Sequence, residues 1–412
     1  MADREVDYLL VGGGLAAANC ARWLRESGAD GSIMLVGREP HPPYNRPPLS
    51  KGYMQGKESV EDVLFRPDEW WSEQDVELLT RTSAVKLDPR ERVVGLSNRE
   101  EIGFGKALLA TGANVRRLRA DGDELEGIHY LRVLGNSDAI VADCKDAEHV
   151  VVIGGSYIGS EVAASLTLRG KRCTIVMQES VIHERSFGAP AGRFFQGVLE
   201  EHGVTVHGDD ALERFEGVDG RLSKVVTAAG LELEAEVVVI GAGVLPDITL
   251  AKGAGLELGE NGGVRCDSRL ETSVPGIFAA GDICEYDSPI HGKHLRIEHW
   301  DVAFNHGKTA ALNMLDRATP HEVVPYFFSD LADWASLEYV GPAREWDEEV
   351  VRGSLDDGEF SVWYIKDGRV AGALSVGRSD DLEHARRLLA GGADIGDRLA
   401  ELASLESDLA AL

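Results

Sequence analysis

Apolar runs, glycine turns and amphipathic stretches alternate from the start of the chain. Residues Val6–Val11 form a short apolar run that ends in Gly12–Gly14. A stretch with helical spacing follows as far as Ser27, and Ile33–Val36 form a second apolar run. Buried parallel strands are near-continuous apolar runs, so this order predicts a strand, a tight turn, a helix and a second strand.

The same order returns in the middle of the chain. The apolar residues His149–Ile153 lead into Gly154 and Gly155, a helical stretch follows to Arg169, and Cys173–Met177 form the next apolar run. The recurrence predicts a second βαβ unit of the same design. Three further predicted strands end in turns of small residues: Lys106–Gly112, Glu236–Gly243 and Gly276–Asp282.

The pattern changes near Pro320. A helical stretch at Trp300–Leu315 precedes the change, and aromatic and β-branched runs follow it. These runs predict antiparallel strands of a separate α+β domain. The runs are Tyr326–Phe328, Ser336–Val340, Phe360–Ile365 and Val370–Val376. Apolar residues then recur at steps of three and four from Ile395 to Leu412, which predicts a terminal helix that packs on its own domain or, alternatively, forms a dimer seam.

The first glycine turn has the G-x-G-x-x-A form of the dinucleotide fingerprint. Gly12 allows the tight turn, Gly14 lets the backbone approach a pyrophosphate, and Ala17 lets the helix pack closely on the sheet. The helix N-terminus adds unpaired N–H groups and the positive end of a dipole. We therefore expect a dinucleotide here, and a glycine turn without a ligand is the plainer alternative.

The second glycine turn departs from the fingerprint at Ser156, where the second glycine is expected. A hydroxymethyl group at this position crowds a pyrophosphate. Two units of this kind predict that one chain binds two dinucleotides. The alternative is a second unit that no longer binds one.

Composition and charge narrow the classes of partner. The chain has 412 residues, and 42 Lys and Arg against 70 Asp and Glu give a net charge of -28. Such a field repels nucleic acids and anionic membranes, so we expect neither as a partner. The start of the chain lacks the basic region of a secretion signal, and no apolar run approaches the roughly 20 residues of a membrane span.

The cysteines argue against a disulfide scaffold or a zinc ribbon. There are 5 of them, an odd number, and no two have the spacing of a C-x-x-C pair. This usage predicts a reducing compartment, which we take to be the cytoplasm.

A short string narrows the family. Residues Pro43–Lys51 spell PYNRPPLSK, which resembles the P-Y-x-R-P-P-L-S-K signature of ferredoxin, putidaredoxin and rubredoxin reductases and of apoptosis-inducing factor. The resemblance to these two-dinucleotide flavoproteins covers nearly the whole chain. Its further matches are Ala110–Gly112, Leu131–Arg132, Thr272–Asp282, Glu298–His299 and Phe327–Asp330.

The resemblance implies an α/β fold similar to that of glutathione reductase, with two Rossmann-like dinucleotide-binding domains and a C-terminal α+β domain. An FAD-binding domain is expected at residues 1–113 and 244–320. An NAD(P)H-binding domain is expected at 114–243, and the C-terminal domain at 321–412.

For FAD, the resemblance implies contacts along the first glycine turn and at the start of the helix after Glu298. Phe328 stands where tryptophan is usual in these reductases, and Arg38 stands where an acid is common, which leaves Glu39 to accept from the ribose. The residues implied for FAD are Gly12, Gly13, Gly14, Leu15, Ala16, Arg38, Glu39, Arg46, Lys51, Val85, Ala110, Thr111, Gly112, Arg132, Asp282, His299, Trp300 and Phe328.

For NAD, the resemblance implies contacts around the second glycine turn. Glu179 matches an acidic ribose contact, which favours NADH over NADPH, whereas Arg185 favours the opposite. Lys51 and Glu161 match a catalytic ion pair beside the flavin. The residues implied for NAD are Gly155, Ser156, Tyr157, Ile158, Glu161, Glu179, Arg185, Gly243 and Glu298.

The leading hypothesis is an FAD-dependent reductase, a monomer or a homodimer, that takes hydride from NADH and passes single electrons to a ferredoxin-type iron–sulfur protein. One alternative is an NADH-dependent reductase of a small acceptor such as a quinone, a radical or oxygen. Another is a redox-responsive binding flavoprotein similar to apoptosis-inducing factor. A thiol relay is not predicted, because only Cys20 lies on the first helix and none follows the second strand closely.

Overall fold

The computed structural model describes residues 2–412, which form two compact units. The first unit comprises the chain up to Asn45, Glu61–Asn114 and Leu245–Tyr326. The second unit comprises Arg46–Val60, Val115–Val244 and Phe327–Leu412. Residues 46–60, which the sequence assigned to the FAD domain, therefore cluster with the second unit, and the division into three domains stays a prediction.

The helices of residues 2–412 are mostly short, and none of them combines the length and apolarity that crossing a lipid bilayer requires. Short 3-10 helices lie at Pro47–Ser50, Gly281–Ile283, Gly396–Arg398 and Leu409–Ala411. The α-helices are α1 (Leu15–Glu26), α2 (Gly52–Gln55), α3 (Val60–Val63), α4 (Asp68–Glu73), α5 (Leu134–Asp143), α6 (Tyr157–Leu168), α7 (Glu184–Glu201), α8 (Thr249–Gly253), α9 (Trp300–Met314), α10 (Ser379–Gly391) and α11 (Leu399–Ala403).

The strands are distributed over six sheets. Those before residue 160 are β1 (Arg4–Val11), β2 (Ile33–Val36), β3 (Val76–Leu79), β4 (Ala84–Asp88), β5 (Val93–Leu96), β6 (Glu101–Leu109), β7 (Ala113–Val115), β8 (Ile128–Tyr130) and β9 (His149–Ile153). Those up to residue 300 are β10 (Arg172–Val176), β11 (Thr205–His207), β12 (Leu212–Val218), β13 (Arg221–Thr227), β14 (Glu232–Glu234), β15 (Val237–Ile240), β16 (Val244–Pro246), β17 (Val264–Cys266), β18 (Ile277–Ala279), β19 (Cys284–Ser288) and β20 (Lys293–Leu295). The last are β21 (Tyr326–Leu331), β22 (Ala335–Val340), β23 (Glu348–Ser354), β24 (Glu359–Lys366) and β25 (Arg369–Val376).

A seven-stranded sheet forms the centre of the first unit, in the order β3-β2-β1-β6-β5-β4 with β18 paired to β6. Strand β1 is parallel to β2 and β6, and its Leu9 and Leu10 are fully buried. The chain turns after β1 at Gly12, whose φ is +133° and whose Cβ would lie 2.0 Å from the carbonyl oxygen of Ala110. The first βαβ unit is therefore as predicted, and only glycine fits its turn.

Helices α1 and α9 pack closely in the first unit. A Cβ on Gly307 of α9 would lie 2.4 Å from the carbonyl oxygen of Ala16 on α1. The thiol of Cys20 is fully buried in this interface, with Sγ 3.7 Å from Sδ of Met314. Cys20 thus packs as a small apolar residue, as expected.

A five-stranded parallel sheet, in the order β11-β10-β9-β15-β8, carries the second βαβ unit. Gly154 ends β9 with a φ of +110°, and its Cβ would lie 2.5 Å from the carbonyl oxygen of Gly241. On α6, a Cβ on Gly159 would lie 2.1 Å from the carbonyl oxygen of Gly154. The helix therefore packs on the turn as closely as the fingerprint requires.

The last part of the chain forms an antiparallel sheet in the order β21-β22-β25-β24-β23, with Trp363 and Tyr364 fully buried. The four predicted runs are strands β21, β22, β24 and β25. Strand β23 was missed because it begins with Glu348 and Glu349 and buries Arg352. An α+β domain is present, with one strand more than predicted.

The predicted terminal helix from Ile395 to Leu412 is wrong as a continuous element. Helix α11 ends at Ala403, and Ser404 has an extended backbone with φ -79° and ψ 124°. The buried guanidinium of Arg352 donates to the carbonyls of Leu402, Ser404 and Ser407. These carbonyls bond a tertiary partner instead of a following helical turn, and Leu405 is left 58% exposed.

Candidate functional site

The first glycine turn leaves open space at the start of α1. Gly14 is the N-cap, with φ -97° and ψ -177°, and no protein atom lies within 4 Å of a Cβ built on it. No side chain caps the helix, and its first turn carries no acidic residue. The first N–H groups of a helix have no partner within it, so this end is free to bind an anion. Gly12–Ala16 thus fit the phosphates of a dinucleotide.

Two further segments of the first unit carry predicted FAD residues. In Ala110–Gly112, the Thr111 hydroxyl donates to the carbonyl of Asp247 at 2.6 Å, and Gly112 has a φ of +71°. Asp282 lies in the 3-10 helix after β18, where its carbonyl accepts from Arg296 Nη1 at 3.2 Å. Arg296 also pairs with Glu298. Arg296 was not predicted, and it links the turn of Asp282 to Glu298.

The predicted ribose contacts are partly engaged within the protein. Arg38 Nη2 donates to Asn114 Oδ1 at 2.8 Å, and Nη1 lies 3.4 Å from Asp247 Oδ2. Glu39 accepts from the Tyr44 hydroxyl. Val85 lies on β4 and is 62% exposed.

His299 and Trp300 lie at the start of α9, as the resemblance implied. His299 is the N-cap and Trp300 the first helical residue. The Trp300 ring stacks on Phe304 with centroids 5.2 Å apart, and its Nε1 donates to Asn45 Oδ1 at 3.1 Å. Asn45 is the x position of the P-Y-x-R-P-P-L-S-K string and was not predicted to have a role. It fixes the orientation of the indole.

The second glycine turn has the same backbone with a different side chain. Ser156 is the N-cap of α6, with φ -85° and ψ 177°. Its hydroxyl donates to the carbonyl of Gly241 at 3.2 Å. As in α1, no side chain caps the helix. The hydroxyl of Ser156 is therefore bonded within the protein, and the N–H groups of the first turn of α6 are available to an anion.

Aromatic side chains support the first turn of α6. Tyr157 stacks on the buried ring of His183, with centroids 5.0 Å apart, and meets Phe327 edge to face at 4.9 Å. Burial lowers the pKa of His183 to about 3, so the imidazole is neutral at physiological pH. The neighbouring Ile158 is 40% exposed. The rings of His183 and Phe327 thus pack against Tyr157, and Ile158 is partly exposed to solvent.

The predicted coenzyme-specificity residues pair with each other. Arg185 Nε lies 2.5 Å from Glu179 Oε1, and the arginine is 73% exposed whereas the glutamate is 21% exposed. Gly243, also predicted to contact NAD, has a φ of +85° with open space around its Cβ position. Another predicted NAD residue, Gly155, contacts Met177, whose Sδ would lie 2.2 Å from a Cβ built on the glycine.

The predicted ion pair is present in the second unit. Lys51 Nζ lies 2.7 Å from Glu161 Oε1, and the two side chains are 14% and 4% exposed. Oε1 also accepts from the Ser329 hydroxyl at 2.6 Å, and Oε2 accepts from the Ser50 hydroxyl at 2.5 Å. Lys51 Nζ lies 5.6 Å from the ring centroid of Phe328. The Glu161 carboxylate thus binds one ammonium group and accepts hydrogen bonds from two hydroxyls.

The remaining predicted FAD residues of the second unit adjoin one another. Arg46 donates to the carbonyl of Arg132, whose own N–H donates to Asn136 Oδ1 at 3.1 Å. Ser137 donates to the carbonyl of Leu49 at 2.8 Å. The turn before α5 and the first turn of α5 therefore anchor the segment that carries Lys51.

The described residues offer no reactive thiol and no metal cluster. All five cysteines are free and buried. Burial raises the pKa of Cys144 to about 12 and that of Cys173 to about 11, and it raises the pKa of Cys20 and Cys284 as well. No group of three or more His, Cys, Asp or Glu in residues 2–412 is arranged to hold a metal ion. Disulfide exchange requires an accessible thiolate, whereas these thiols are buried.

Ser50 and Ser329 were missed as members of the site, although both lie in strings that carried the resemblance. Ser50 directly precedes Lys51, and Ser329 directly follows Phe328. The only signal in the sequence was the membership of each serine in a string that matches the known reductases. The partner of each serine is more than a hundred residues away, so only the fold shows it.

Two family models match the chain and cover most of it. Residues 6–307 match the family described as pyridine nucleotide-disulphide oxidoreductase. Residues 326–412 match the model described as reductase C-terminal.

One relative and two solved structures match this chain over nearly their full length. The chain is 32% identical over 396 residues to a ferredoxin--NAD(P)(+) reductase of a Sphingomonas species, covering 94% of each chain. It is similar to the ferredoxin reductase for the CYP199A2 system from Rhodopseudomonas palustris, with a TM-score of 0.93 and 31% identity over 98% of this chain and 99% of that one. It is also similar to a covalent putidaredoxin reductase–putidaredoxin complex, with a TM-score of 0.92 and 29% identity over 100% of this chain and 98% of that one.

Proposed function

Because the chain belongs to the pyridine nucleotide-disulphide oxidoreductase family, we propose that it passes electrons from NADH to a ferredoxin-type iron–sulfur protein. It is an NAD(P)H-dependent flavoprotein reductase that uses FAD. The relative named ferredoxin--NAD(P)(+) reductase and the neighbour solved with putidaredoxin support the proposed acceptor. When bound, FAD accepts an electron pair from a reduced nicotinamide and releases electrons one at a time.

The observation that carries the proposal is the buried pair of Lys51 and Glu161 in a chain without a reactive thiol. A buried ammonium fixed by a carboxylate is a preorganised charge, which can stabilise negative charge that develops nearby during reduction. A thiol relay needs an accessible thiolate, and all five cysteines of the chain are buried. The electrons are therefore proposed to leave the chain directly to an external carrier.

The two glycine turns are proposed to hold the two dinucleotides. The uncapped N-terminus of α1 and the open space at Gly14 fit the phosphates of FAD. The uncapped N-terminus of α6 fits those of NAD. Asn45 and Trp300 fix the start of α9, where a helix N-terminus favours negative charge on a reduced ring.

NADH is the proposed donor because Glu179 offers a carboxylate where a 2′-phosphate would have to bind. The ion pair with Arg185 weakens the preference for NADH over NADPH, because the guanidinium offsets the negative charge of the Glu179 carboxylate. The preference is measured as the ratio of kcat/KM for NADH to that for NADPH. Arg185→Ala is expected to raise this ratio, and a fall in the ratio contradicts the assignment of Glu179.

The protein is proposed to work in the cytoplasm as a monomer or a homodimer, since its five free thiols suit a reducing compartment. No part of the proposed electron path requires a membrane or a nucleic acid.

The proposal is tested with purified protein, which is expected to be yellow and to hold one non-covalent FAD per chain. Under anaerobic conditions NADH should bleach the flavin, and added ferredoxin should restore its colour. A variant with all five cysteines replaced by alanine or serine should reduce ferricyanide or ferredoxin as the wild type does. Colourless protein that takes up no added FAD contradicts the proposal, as does an FAD-loaded cysteine-free variant that has lost carrier reduction.

A further inference from the structure

The Glu161 carboxylate is satisfied by groups from two segments of the chain. Lys51 follows the 3-10 helix Pro47–Ser50, Ser50 ends that helix, and Ser329 lies on β21 of the C-terminal sheet. Ser50 and Ser329 are 1% and 2% exposed. Their bonds to Glu161, at 2.5 Å and 2.6 Å, are short enough to be charge-assisted.

A buried ion pair is stable only when the remaining lone pairs of its carboxylate are also satisfied. The ammonium of Lys51 and the Ser329 hydroxyl share Oε1, and the Ser50 hydroxyl takes Oε2. Each hydroxyl has one proton to donate, so each serine fixes one oxygen of Glu161 in space. The carboxylate is therefore held in one orientation from both sides.

The alternative partners of these groups are weaker. The Ser50 hydroxyl lies 3.4 Å from the carbonyl of Pro47, and Lys51 Nζ lies 3.5 Å from that same carbonyl. The distances to Pro47 exceed those to Glu161 by about 0.9 Å for Ser50 and about 0.8 Å for Lys51, roughly the difference between a strong and a marginal hydrogen bond. The position of the ammonium thus depends on the orientation of the Glu161 carboxylate.

Strand β21 brings the C-terminal domain to this pair through three successive residues. Phe327 is buried against Tyr157, Phe328 lies 5.6 Å from Lys51 Nζ, and Ser329 is buried on Glu161. Side chains alternate along a strand, so Phe327 and Ser329 share the buried face. The aromatic contact fixes the register that delivers the Ser329 hydroxyl to the carboxylate.

We propose that Ser329 and Ser50 are positioning residues of the reductase, which hold Glu161 so that Lys51 is presented at a fixed place during reduction of the flavin by NADH. The inference rests on the proposed role of the Lys51–Glu161 pair. It gives the C-terminal domain a part in the chemistry, because one of the two hydroxyls that orient the pair comes from β21.

The test measures anaerobic stopped-flow reduction of the FAD-loaded protein by NADH. Ser329→Ala is expected to lower the limiting rate constant about tenfold, the effect of losing a hydrogen bond to a charged group. The NADH concentration at half-maximal rate should change by no more than about twofold, since the serine binds no nucleotide. Ser50→Ala should act in the same direction, and Ser329→Thr, which keeps the hydroxyl, should restore most of the rate.

Ser361→Ala is the matched control. Ser361 is a fully buried serine of the same sheet and donates to the buried carboxylate of Asp381 at 2.7 Å. Its loss should lower thermal stability as Ser329→Ala does, and should leave the rate of flavin reduction unchanged. A purely structural role for Ser329 predicts that both variants behave alike.

A double variant shows whether Ser329 acts through Glu161. In a Glu161→Met background, which removes both acceptor oxygens, Ser329→Ala should cause no further loss of rate. Wild-type rates in both Ser329→Ala and Ser50→Ala overturn the inference, as does an undiminished loss in the Glu161→Met background. If wild-type protein holds FAD that NADH does not reduce, the proposed function itself is wrong.

Discussion

The two glycine turns share a backbone and differ in one side chain. The N-caps Gly14 and Ser156 have φ values of -97° and -85°, and neither conformation requires glycine. A Cβ on Gly14 would meet no protein atom within 4 Å. The fold therefore tolerates a side chain at this position, and we propose that the requirement for glycine at the first turn comes from the ligand.

The first glycine of each turn behaves in the opposite way. Gly12 and Gly154 both have positive φ, and a Cβ on either would collide with a carbonyl oxygen of the neighbouring strand's turn. These glycines are required by the fold itself, in both units. The comparison separates the glycines that shape the turn from Gly14, which we propose admits a pyrophosphate.

The largest expected effect follows from Gly12→Ala. The substituent would lie 2.0 Å from the Ala110 carbonyl oxygen at a φ of +133°, so we expect a loss of more than about 4 kcal/mol of stability and of bound FAD. Urea unfolding and the ratio of flavin to protein absorbance measure both. Gly253→Ala on α8 is the control, because that site has open space and no positive φ. A stable Gly12→Ala protein with full FAD would show that the turn is not constrained as described.

Acid is the next largest perturbation, since each unit contains a buried histidine whose pKa is lowered by burial. His306 Nδ1 accepts from the N–H of Gly281, and burial lowers the pKa of His306 well below its usual 6.5. Burial lowers the pKa of His183 to about 3. The unfolded chain takes up these protons below pH 6.5 and the folded chain does not, so stability falls as pH drops from 6.5 towards 3.

The expected slope is about 1.4 kcal/mol per pH unit for each such histidine. Unfolding in urea at a series of pH values measures it. His183→Gln should reduce this slope by about 1.4 kcal/mol per pH unit, the contribution of one proton. Equal slopes in wild type and His183→Gln would mean that His183 is not kept neutral by the fold.

Gly14→Ser converts the first turn into the second and should have a moderate effect. The fold has room for the side chain, so unfolding should be unchanged. The affinity of apoprotein for FAD should fall about tenfold, because the hydroxymethyl group crowds the pyrophosphate. Quenching of flavin fluorescence on titration with apoprotein measures the affinity. An unaltered affinity for FAD in Gly14→Ser would show that the ligand does not require glycine at this position.

Ser156→Gly, the reverse exchange, should have the smallest effect. The Ser156 hydroxyl is already bonded to the Gly241 carbonyl, so its removal should strengthen NADH binding by no more than about threefold. The dissociation constant of NADH for the oxidised enzyme is the readout. A gain of tenfold or more would mean that Ser156 obstructs the nucleotide in spite of its bond to Gly241.

The fold was largely predictable where local sequence determines it. Gly12 and Gly154 each end a continuous apolar run, and this pattern identifies the start of both βαβ units. The C-terminal sheet was predicted with one strand too few, because β23 begins with two glutamates and buries Arg352. That same arginine breaks the expected terminal helix by drawing its carbonyls into tertiary hydrogen bonds, which no local pattern reveals.

The site was predictable only in part for a similar reason. Lys51 and Glu161 came from the resemblance to known reductases, and their contact is confirmed by the geometry. The serines that hold Glu161 were not predicted. Ser329 is 168 residues from Glu161 along the chain, and a buried serine in a strand is more often a packing residue than part of a site.

The central claim, that the Lys51–Glu161 pair serves the reductive step, is tested most directly by anaerobic stopped-flow reduction of Lys51→Met by NADH. The substitution leaves the Glu161 carboxylate buried with its two serine donors but without its counter-charge. Removing one partner of a buried ion pair lowers the free energy of unfolding by roughly 3–5 kcal/mol. We predict flavin reduction about 100-fold slower than in wild type, with FAD content within about a tenth of the wild-type value. Unchanged reduction kinetics in an FAD-loaded Lys51→Met protein would contradict the account.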